Sequence, residues 1–342
     1  MKALLLTAHG DASVLACGEL PTPTPGPGEA LVRLQASGVN HMDLLIRNGY
    51  PGIAVQLPHV LGGDVVGLVA AVGRGVTTVR EGDRVIAAPV SGCGHCERCV
   101  EGQEFLCDAW QYLGFHRPGG YAQFCCVPAR SLLALPESID AGIAAALPVA
   151  GLTAFHAMTS VAQLRAGQTI FIWGGAGALG TMSIQIARAL GLRPLIAASS
   201  EEKRALGLRL GAELALDPND ADFADRLRAV APAGVDAVLD SVGAQTFPRS
   251  FSMVRKGGQL LLCGMIGGRE APLSIHQTYL RHLSVRGLYL GSRAELATLV
   301  RLVADRTVNP HIGTRIPFEQ AAAGQQLLES RRNQGKIALL FS

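Results

Sequence analysis

The chain has 342 residues, a length that predicts two domains rather than one core. Hydrophobic residues make up 49% and charged residues 17% of a glycine-rich composition, which excludes a disordered or low-complexity chain. The net charge is only +3 and no basic stretch is interleaved with aromatic residues, so we expect no nucleic-acid partner.

The sequence also predicts no cleaved leader and no membrane partner. Asp11 follows the leucine run of MKALLLTAHGD without a small-residue cleavage site. The most apolar region, residues 141–158, is interrupted by Pro148 and is short for a bilayer span. We therefore expect a cytoplasmic protein that acts on a small-molecule substrate.

The first 130 residues are predicted to form short strands joined by turns. Apolar runs at 30–34 and 65–72 are separated by segments rich in proline and glycine, such as PTPTPGPGE and EGDRV. This pattern is typical of a β-rich domain.

Within this region, four of the chain's 8 cysteines follow one another as C-x2-C-x2-C-x7-C in CGHCERCVEGQEFLC. Thiolates two residues apart can turn back onto one ion, and four cysteines with no open position make a closed, structural zinc site. An iron–sulfur cluster, a redox dithiol and buried free thiols are the alternatives, although the spacing is not a common ferredoxin pattern. The predicted zinc ligands are Cys93, Cys96, Cys99 and Cys107.

From about Ser138 the pattern changes to helices alternating with strands. Residues 141–158 are helix-like, and TIFIWGGAGALGTMSIQIARALGLRPLIAAS predicts a strand, a glycine turn, a helix and a second strand. DAVLD, QLLLCG and SVRGLYLG are further β-rich runs, and KIALLF is a final strand. Alternation of this kind predicts a parallel sheet covered on both faces by helices.

The glycine turn has the pattern GxGxxG, and it lies between a predicted strand and a predicted helix. This context favours a dinucleotide site, because the glycines let the backbone approach a pyrophosphate at the positive end of the helix. A glycine-rich turn without a ligand is the alternative. The predicted cofactor-binding residues of this turn are Gly175, Ala176, Gly177, Ala178, Leu179 and Gly180.

The end of the second strand predicts NADPH rather than NADH. NAD sites usually carry Asp or Glu about twenty residues beyond the turn, where it accepts hydrogen bonds from the ribose. This chain has Ser199 and Ser200 there, followed by Lys203 and Arg204, which suit a 2′-phosphate. EEKR is also an ordinary exposed helix start, so a solvated charge is the alternative for Lys203.

Together these motifs resemble the medium-chain dehydrogenase/reductase superfamily, and the resemblance runs nearly end to end. It includes MKALLL, LGGDVVGLVAAVGRGVTTVREGDRV, GGYAQFCCVPA, ALPVAGLTAFHA and GKIALLF. It implies an α/β fold in which a GroES-like β-rich catalytic domain (1–130 and 280–342, with a zinc lobe at 91–108) surrounds a Rossmann doubly wound domain (131–279). It also implies an active site in the cleft between the domains, and a homodimer.

The sequence departs from the zinc alcohol dehydrogenases of this superfamily at the catalytic metal. Those enzymes carry a Cys in the segment that in this chain reads SGVNHMD, a His-Glu pair where this chain has GGD, and a Cys or Glu near PVAG. The corresponding residues are Asn40, Gly63 with Asp64, and Val149. We expect no catalytic zinc, although His41, Asp43, His59 and Asp64 are candidates for an improvised site.

The same segments are similar to the quinone oxidoreductase and enoyl reductase branches, which reduce an activated double bond or a quinone with NADPH. By resemblance, Asn40, Asp43, Arg47 and Tyr50 line the substrate pocket. Thr153 is expected to touch the nicotinamide, and the cofactor is expected to contact Ser241, Val242, Gly264 and Met265. For Tyr50 the alternative is loop packing beside Pro51, and for Asn40 and Asp43 it is hydrogen bonding within a turn.

Three functions are therefore compatible with the sequence. The first is an NADPH-dependent reductase of quinones or α,β-unsaturated carbonyls, and the second is an alcohol/aldehyde dehydrogenase with an improvised metal site. The third is a cofactor-binding protein without catalysis. The four cysteines do not discriminate among them, since a closed zinc site stabilises a lobe and takes no part in a reaction.

Overall fold

The computed structural model describes residues 1–49, 52 and 55–342 and divides into two compact units. The first unit comprises Met1–Leu152, Leu290–Arg306 and Pro310–Ser342, and the second comprises Thr153–Tyr289 and Thr307–Asn309. The units differ from the predicted domain bounds at three places, one of which is residues 307–309 in the second unit. Residues 131–152 join the first unit, whose sheet includes a strand at 132–134, and residues 280–289 join the second, whose sheet includes a strand at 284–287.

Short strands dominate the first half of the chain, and strands alternate with helices in the second half. The strands are β1 (Lys2–Leu6), β2 (Leu15–Glu19), β3 (Glu29–Gly38), β4 (His59–Val60), β5 (Val66–Val72), β6 (Arg84–Ala87), β7 (Val90–Ser91), β8 (Gln111–Tyr112), β9 (Phe124–Pro128), β10 (Leu132–Ala134), β11 (Thr169–Ile172), β12 (Arg193–Ala197), β13 (Leu214–Leu216), β14 (Val235–Asp240), β15 (Val254–Leu262), β16 (Ser284–Gly287), β17 (Ile312–Pro317) and β18 (Lys336–Leu340). The helices are α1 (His41–Arg47), α2 (Glu97–Val100), α3 (Ala141–Ala144), α4 (Leu152–His156), α5 (Ala178–Ala189), α6 (Glu201–Arg209), α7 (Phe223–Val230), α8 (Phe247–Met253), α9 (Ile275–Leu280), α10 (Arg293–Ala304) and α11 (Ala321–Glu329).

The first unit is built around a sheet in the order β10-β6-β5-β3-β18-β17, with β9 also paired to β3. A smaller sheet, β2-β1-β4, and the hairpin-like pair β7-β8 complete its strands. β18 lies antiparallel to β3, with Ala338 opposite Gly38 and Leu340 opposite Ala36. Both ends of the chain therefore contribute to one unit, as the resemblance implies.

The second unit contains a parallel sheet in the order β13-β12-β11-β14-β15-β16. Numbered within the unit this is 3-2-1-4-5-6, the order of the dinucleotide-binding doubly wound fold. Every residue of the central strand β11 is buried, because helices cover both faces of a parallel sheet. The predicted alternation of strands and helices is confirmed.

The apolar segment at 141–161 is continuously helical, and Pro148 does not break it. Pro148 occupies the first turn of a wide π segment, Leu147–Gly151, between α3 and α4. Because the proline lies near the start of that turn, its missing N–H costs little. Within the described residues this is the one helix whose length and composition would permit a membrane crossing, and 78% of its apolar window is buried in the protein.

Candidate functional site

The four predicted zinc ligands converge in the lobe between β7 and β8. The Sγ atoms of Cys93, Cys96, Cys99 and Cys107 all lie within 4.8 Å of one another. Four thiolates around a tetrahedral zinc ion are about 3.8 Å apart, given a Zn–S distance of about 2.3 Å. The donor set therefore fits a zinc ion, with the sulfur atoms drawn slightly closer together around it.

Two backbone amides within the lobe and two hydrogen bonds to Arg130 and Arg293 support its structure. The amides of Cys93 and Cys96 point at sulfur atoms of the cluster, each at 3.3 Å. Arg130 donates to the carbonyl of Gly92 at 2.5 Å, and the carboxylate of Glu104 accepts from the amide of Arg293 at 2.5 Å. The lobe is thus tied to the rest of the first unit by groups other than the cysteines.

In the second unit, the glycine turn joins β11 to α5, as predicted. Gly177 is the N-cap of α5, and a Cβ added there would meet nothing closer than the carbonyl of Gly174 at 3.5 Å. A Cβ on Gly180, in contrast, would overlap the backbone of Gly174 and Gly175. In dinucleotide-binding folds, the open position is the one that a pyrophosphate approaches, and the crowded position lets the helix pack close to the turn.

The remaining predicted cofactor residues of the second unit follow the carboxyl ends of neighbouring strands. Ser199 and Ser200 follow β12, Ser241 and Val242 follow β14, and Gly264 and Met265 follow β15. A Cβ on Gly264 would overlap the backbone of Ser241, so the last two loops are in direct contact. Parallel sheets of this kind bind ligands at this edge.

The residues proposed for the 2′-phosphate are arranged around the start of α6. Ser199 is exposed, and the Ser200 hydroxyl caps α6 by accepting from the amide of Lys203 at 3.3 Å. The Arg204 guanidinium donates to the carbonyl of Ala198 at 3.0 Å and forms an ion pair with Asp217 at 2.6 Å. Arg204 therefore lies at the end of β12, but part of its charge is already paired.

A buried network behind the β14 loop was not predicted from the sequence. Asp240 accepts from the amides of Val242 and Gly243 at 2.9 and 3.0 Å, and from the hydroxyls of Thr246 and Ser250. The indole N–H of Trp173 in turn donates to the Ser250 hydroxyl at 2.7 Å. The network fixes the shape of the DSVG loop. Its signal in the sequence is an aspartate that ends an apolar strand before a serine–glycine turn.

In the first unit, the three positions that differ from zinc alcohol dehydrogenases come together. The side-chain NH2 of Asn40 donates to Asp64 Oδ2 at 2.7 Å, and the backbone N–H of Val149 donates to Asp64 Oδ1 at 3.0 Å. A Cβ on Gly63 would overlap the Tyr112 hydroxyl and approach Val149. The space beside Gly63 that a histidine would need is therefore filled.

A residue from the far end of the chain completes this cluster. Because β18 and β3 are antiparallel with Ala338 opposite Gly38, Lys336 lies next to Asn40. Its ammonium donates to Asn40 Oδ1 at 2.7 Å and to Asp64 Oδ2 at 2.6 Å. The side chains of Lys336 and Asp64 are 1% and 0% exposed. This lysine was not among the predicted site residues, and its signal in the sequence is a single cation at the start of an otherwise apolar strand.

Asp43 lies beside the cluster, inside the protein. Its Oδ2 accepts from the backbone N–H of Asn40 at 2.8 Å, a bond that caps α1, and from the Tyr121 hydroxyl at 2.8 Å. Burial raises the pKa of Asp43 to about 7, helped by the negative charge of Asp64 and opposed by these hydrogen bonds and by Lys336. Burial and the neighbouring Asp43 raise the pKa of Tyr121 well above its usual value.

Arg47, predicted to line the substrate pocket, is enclosed by protein acceptors and is 0% exposed. Its guanidinium donates to the carbonyl of Gly10, to Gln325 Oε1 and to Glu329 Oε1, which joins α1 to α11. This is the arrangement of a structural arginine. Thr153 is buried, and Tyr50 lies outside the described residues.

Comparisons with known proteins agree with this geometry. Residues 26–137 match the alcohol dehydrogenase GroES-like domain, and residues 178–305 match the zinc-binding dehydrogenase domain. An alcohol dehydrogenase of Moraxella sp. (strain TAE123) is 35% identical over 338 residues, which cover 98% of this chain and 97% of the relative. The chain belongs to the medium-chain dehydrogenase/reductase superfamily.

Relatives within the superfamily include both dehydrogenases and reductases. A quinone oxidoreductase of Rattus norvegicus is 29% identical over 100% of this chain and 98% of its own length. The crystal structure of an NAD-dependent alcohol dehydrogenase is 35% identical, covers 100% of both chains and superposes with a TM-score of 0.95. This medium-chain dehydrogenase/reductase is therefore a nicotinamide-dependent oxidoreductase, and the predicted fold class is confirmed.

The two metal sites of zinc enzymes in this superfamily have different counterparts in this chain. The cysteine lobe supplies a complete ligand set for structural zinc. At the catalytic position, Asn40 and Val149 offer no thiolate or imidazole, and the Asp64 carboxylate is already bonded to Lys336. Among the described residues, the cysteine cluster is also the only group of three or more candidate ligands, so His41, Asp43, His59 and Asp64 do not gather into one site.

Proposed function

We propose that this protein is an NADPH-dependent reductase of quinones or α,β-unsaturated carbonyls that works without a catalytic metal. The observation that carries the proposal is that Asn40 and Asp64 hold a buried ammonium, with Val149 bonded to Asp64 and Gly63 beside Val149, at the positions where zinc enzymes carry metal ligands. A catalytic zinc ion needs three protein ligands and an open position. The side chains present do not fit that requirement.

The reaction places negative charge on a substrate oxygen. Reduced nicotinamide supplies the hydride. In the absence of a Lewis acid, hydrogen-bond donors of the protein must meet the charge that develops on the oxygen. We assign this task to Asn40 and to Tyr50, and we assign Asp43 and Arg47 the task of holding α1, which begins directly after Asn40.

The preference for NADPH is supported by the residues after β12. Ser199 is exposed at the position where NAD-dependent enzymes usually carry a carboxylate. Lys203 and Arg204 lie in the first turn of α6, which follows it. A carboxylate at this position would repel a 2′-phosphate, whereas a hydroxyl accepts and donates hydrogen bonds without charge.

We further propose that the cysteine lobe holds one structural zinc ion and that the protein is a cytoplasmic homodimer. The second proposal is supported by apolar side chains on α9, where Ile275 is 78% and Tyr279 63% exposed, and by the edge strand β16, which follows α9 in the chain. Exposed apolar side chains and an unpaired strand edge are typical of an interface. Light scattering of Ile275→Lys should give a monomer, while Leu208→Lys, at a 49% exposed leucine on α6, keeps the wild-type mass.

An alcohol dehydrogenase activity is the second candidate, because the Moraxella relative and the NAD-dependent enzyme of known structure both carry that name. Metal content separates the two candidates. About one zinc ion per chain supports the reductase, whereas two would support an improvised catalytic site.

The decisive experiment is a substrate panel followed by loss of NADPH absorbance. Ortho- and para-quinones, enones and enoyl thioesters are compared with saturated aldehydes, and alcohols are tested with NADP⁺ and NAD⁺. Turnover of quinones or enones that survives dialysis against a chelator too weak to remove the lobe zinc supports the proposal. Dominant oxidation of alcohols, or better use of NADH than of NADPH, would contradict it.

A further inference from the structure

The buried ammonium of Lys336 has a position and a set of partners that suggest more than packing. It is held by a carboxylate on one side and by the carbonyl oxygen of a carboxamide on the other, at 2.6 and 2.7 Å. Gly38 leaves room for it, since a Cβ there would overlap Lys336 Cε and Asp64 Oδ2. A lysine that is 1% exposed must be compensated, and Asp64 provides that compensation.

We propose that Lys336 is a positioning residue that takes over the charge of the missing metal ion and orients Asn40 to donate a hydrogen bond to the substrate oxygen. The inference rests on the proposed function, since it names how that site tolerates negative charge. Lys336 acts through Asn40 and does not itself touch the substrate.

The contacts of Asn40 show how this works. With Oδ1 bound to the ammonium, a flip of the carboxamide would place its NH2 group against a cation, so only one orientation is favourable. One N–H of Asn40 is held by Asp64 at 2.7 Å, and the other reaches the carbonyl of Gly38 at 3.3 Å, a long bond. The weakly held N–H is the one available to a substrate oxygen.

The ammonium also strengthens that donor. A hydrogen bond received by Oδ1 polarises the carboxamide and makes its N–H groups better donors, an effect that is larger in a buried site. During reduction, the hydride and its two electrons pass from the nicotinamide to a carbon of the substrate. The conjugated oxygen then carries the negative charge, which the Asn40 N–H meets until a proton from water completes the product.

The test compares two variants that both lack the Asp64 carboxylate. Lys336→Met alone leaves Asp64 as an unpaired buried anion and is expected to fold poorly, whereas in D64N the ammonium keeps the carboxamide oxygen of Asn40 as an acceptor. The main comparison is therefore D64N against D64N/K336M, with the folding of both checked by circular dichroism. Both lack the carboxylate and differ only in the cation. We expect D64N/K336M to have a kcat at least tenfold below that of D64N, with an unchanged KM for NADPH, unchanged NADPH binding by fluorescence and the same zinc content.

A double-mutant cycle with Asn40→Ala tests whether Lys336 acts through Asn40. In an Asn40→Ala background, the same D64N to D64N/K336M step should change kcat by less than twofold, because the group that Lys336 orients is gone. Equal kcat for D64N and D64N/K336M would overturn the proposal and leave Lys336 as a partner of Asp64 only. A tenfold loss that persists in the Asn40→Ala background would also overturn it.

Failure of the proposed function gives a different result. If the wild-type enzyme oxidises alcohols and reduces no quinone or enone, the reductase proposal fails, while the ratio of D64N to D64N/K336M is still measured on the alcohol reaction. If the wild type is active on quinones or enones and the ratio is one, the reductase stands and the role of Lys336 fails.

Discussion

The raised pKa of Asp43 makes the stability of the protein depend on pH in a specific direction. The Asp43 carboxyl is buried, and its pKa of about 7 in the folded protein compares with 3.8 for the unperturbed group. Between these two values the folded state holds a proton that the unfolded state has lost. The contribution of this group to stability is therefore fully present at low pH and disappears as the pH rises through about 7.

The perturbation that isolates this contribution is Asp43→Asn, which keeps an oxygen acceptor for the Asn40 amide and the Tyr121 hydroxyl but cannot titrate. Linkage over the interval from pH 8 to pH 5 gives a change of about 2.5 kcal/mol in the stability of the wild type relative to the variant. The free energy of unfolding of the wild type should thus increase relative to that of Asp43→Asn as the pH falls. Asp64 and Lys336 also affect the pKa of Asp43, so neither residue is substituted in this comparison.

The assay is denaturant unfolding of both proteins at pH 5 and pH 8, followed by fluorescence and circular dichroism. Asp225→Asn, at an exposed carboxylate of α7, measures the general effect of removing one negative charge. If the free energies of unfolding of wild type and variant differ by the same amount at both pH values, the reasoning is refuted. It is also refuted if the wild type is more stabilised relative to the variant at pH 8 than at pH 5.

Three further predictions concern other parts of the molecule. Cys107→Ser removes the buried cysteine of the four-cysteine cluster and should lower both the zinc content measured by mass spectrometry and the Tm. An unchanged Tm in a zinc-free variant would contradict a structural role. Ser199→Asp should raise the KM for NADPH about tenfold and improve use of NADH, because a carboxylate repels a 2′-phosphate and accepts from a ribose; Michaelis constants that do not respond to the substitution would exclude this position from the cofactor site. Ser250→Ala should cost about 1–3 kcal/mol in urea unfolding, since the buried Trp173 N–H loses its acceptor, and a cost near zero would show that the Asp240 network is not tight.

Local patterns were enough to predict much of the second unit and the clustering of the four cysteines. A glycine turn between a buried strand and a helix, and cysteines two residues apart, specify geometry within short stretches of chain. The structure accordingly places Gly177 and the four Sγ atoms where the spacing indicates.

Long-range pairing explains what the sequence did not reveal. The role of Arg47 depends on α11, which lies far along the chain, so its enclosure by Gln325 and Glu329 has no local signal. Lys336 is next to Asn40 only because β18 pairs with β3 in one register. Burial also changed the interpretation of Asp43, since a turn-forming aspartate and a buried, proton-holding one look alike in sequence.

The pairing of β18 with β3 has a consequence for the order of assembly. Asn40 and Lys336 are 296 residues apart, so the cluster cannot exist until nearly the whole chain has left the ribosome. Domains generally fold as units during synthesis, and the parallel sheet of the second unit is complete in sequence well before β18 emerges. The second unit can therefore fold first, and the cluster around Lys336 forms last, when β18 pairs with β3.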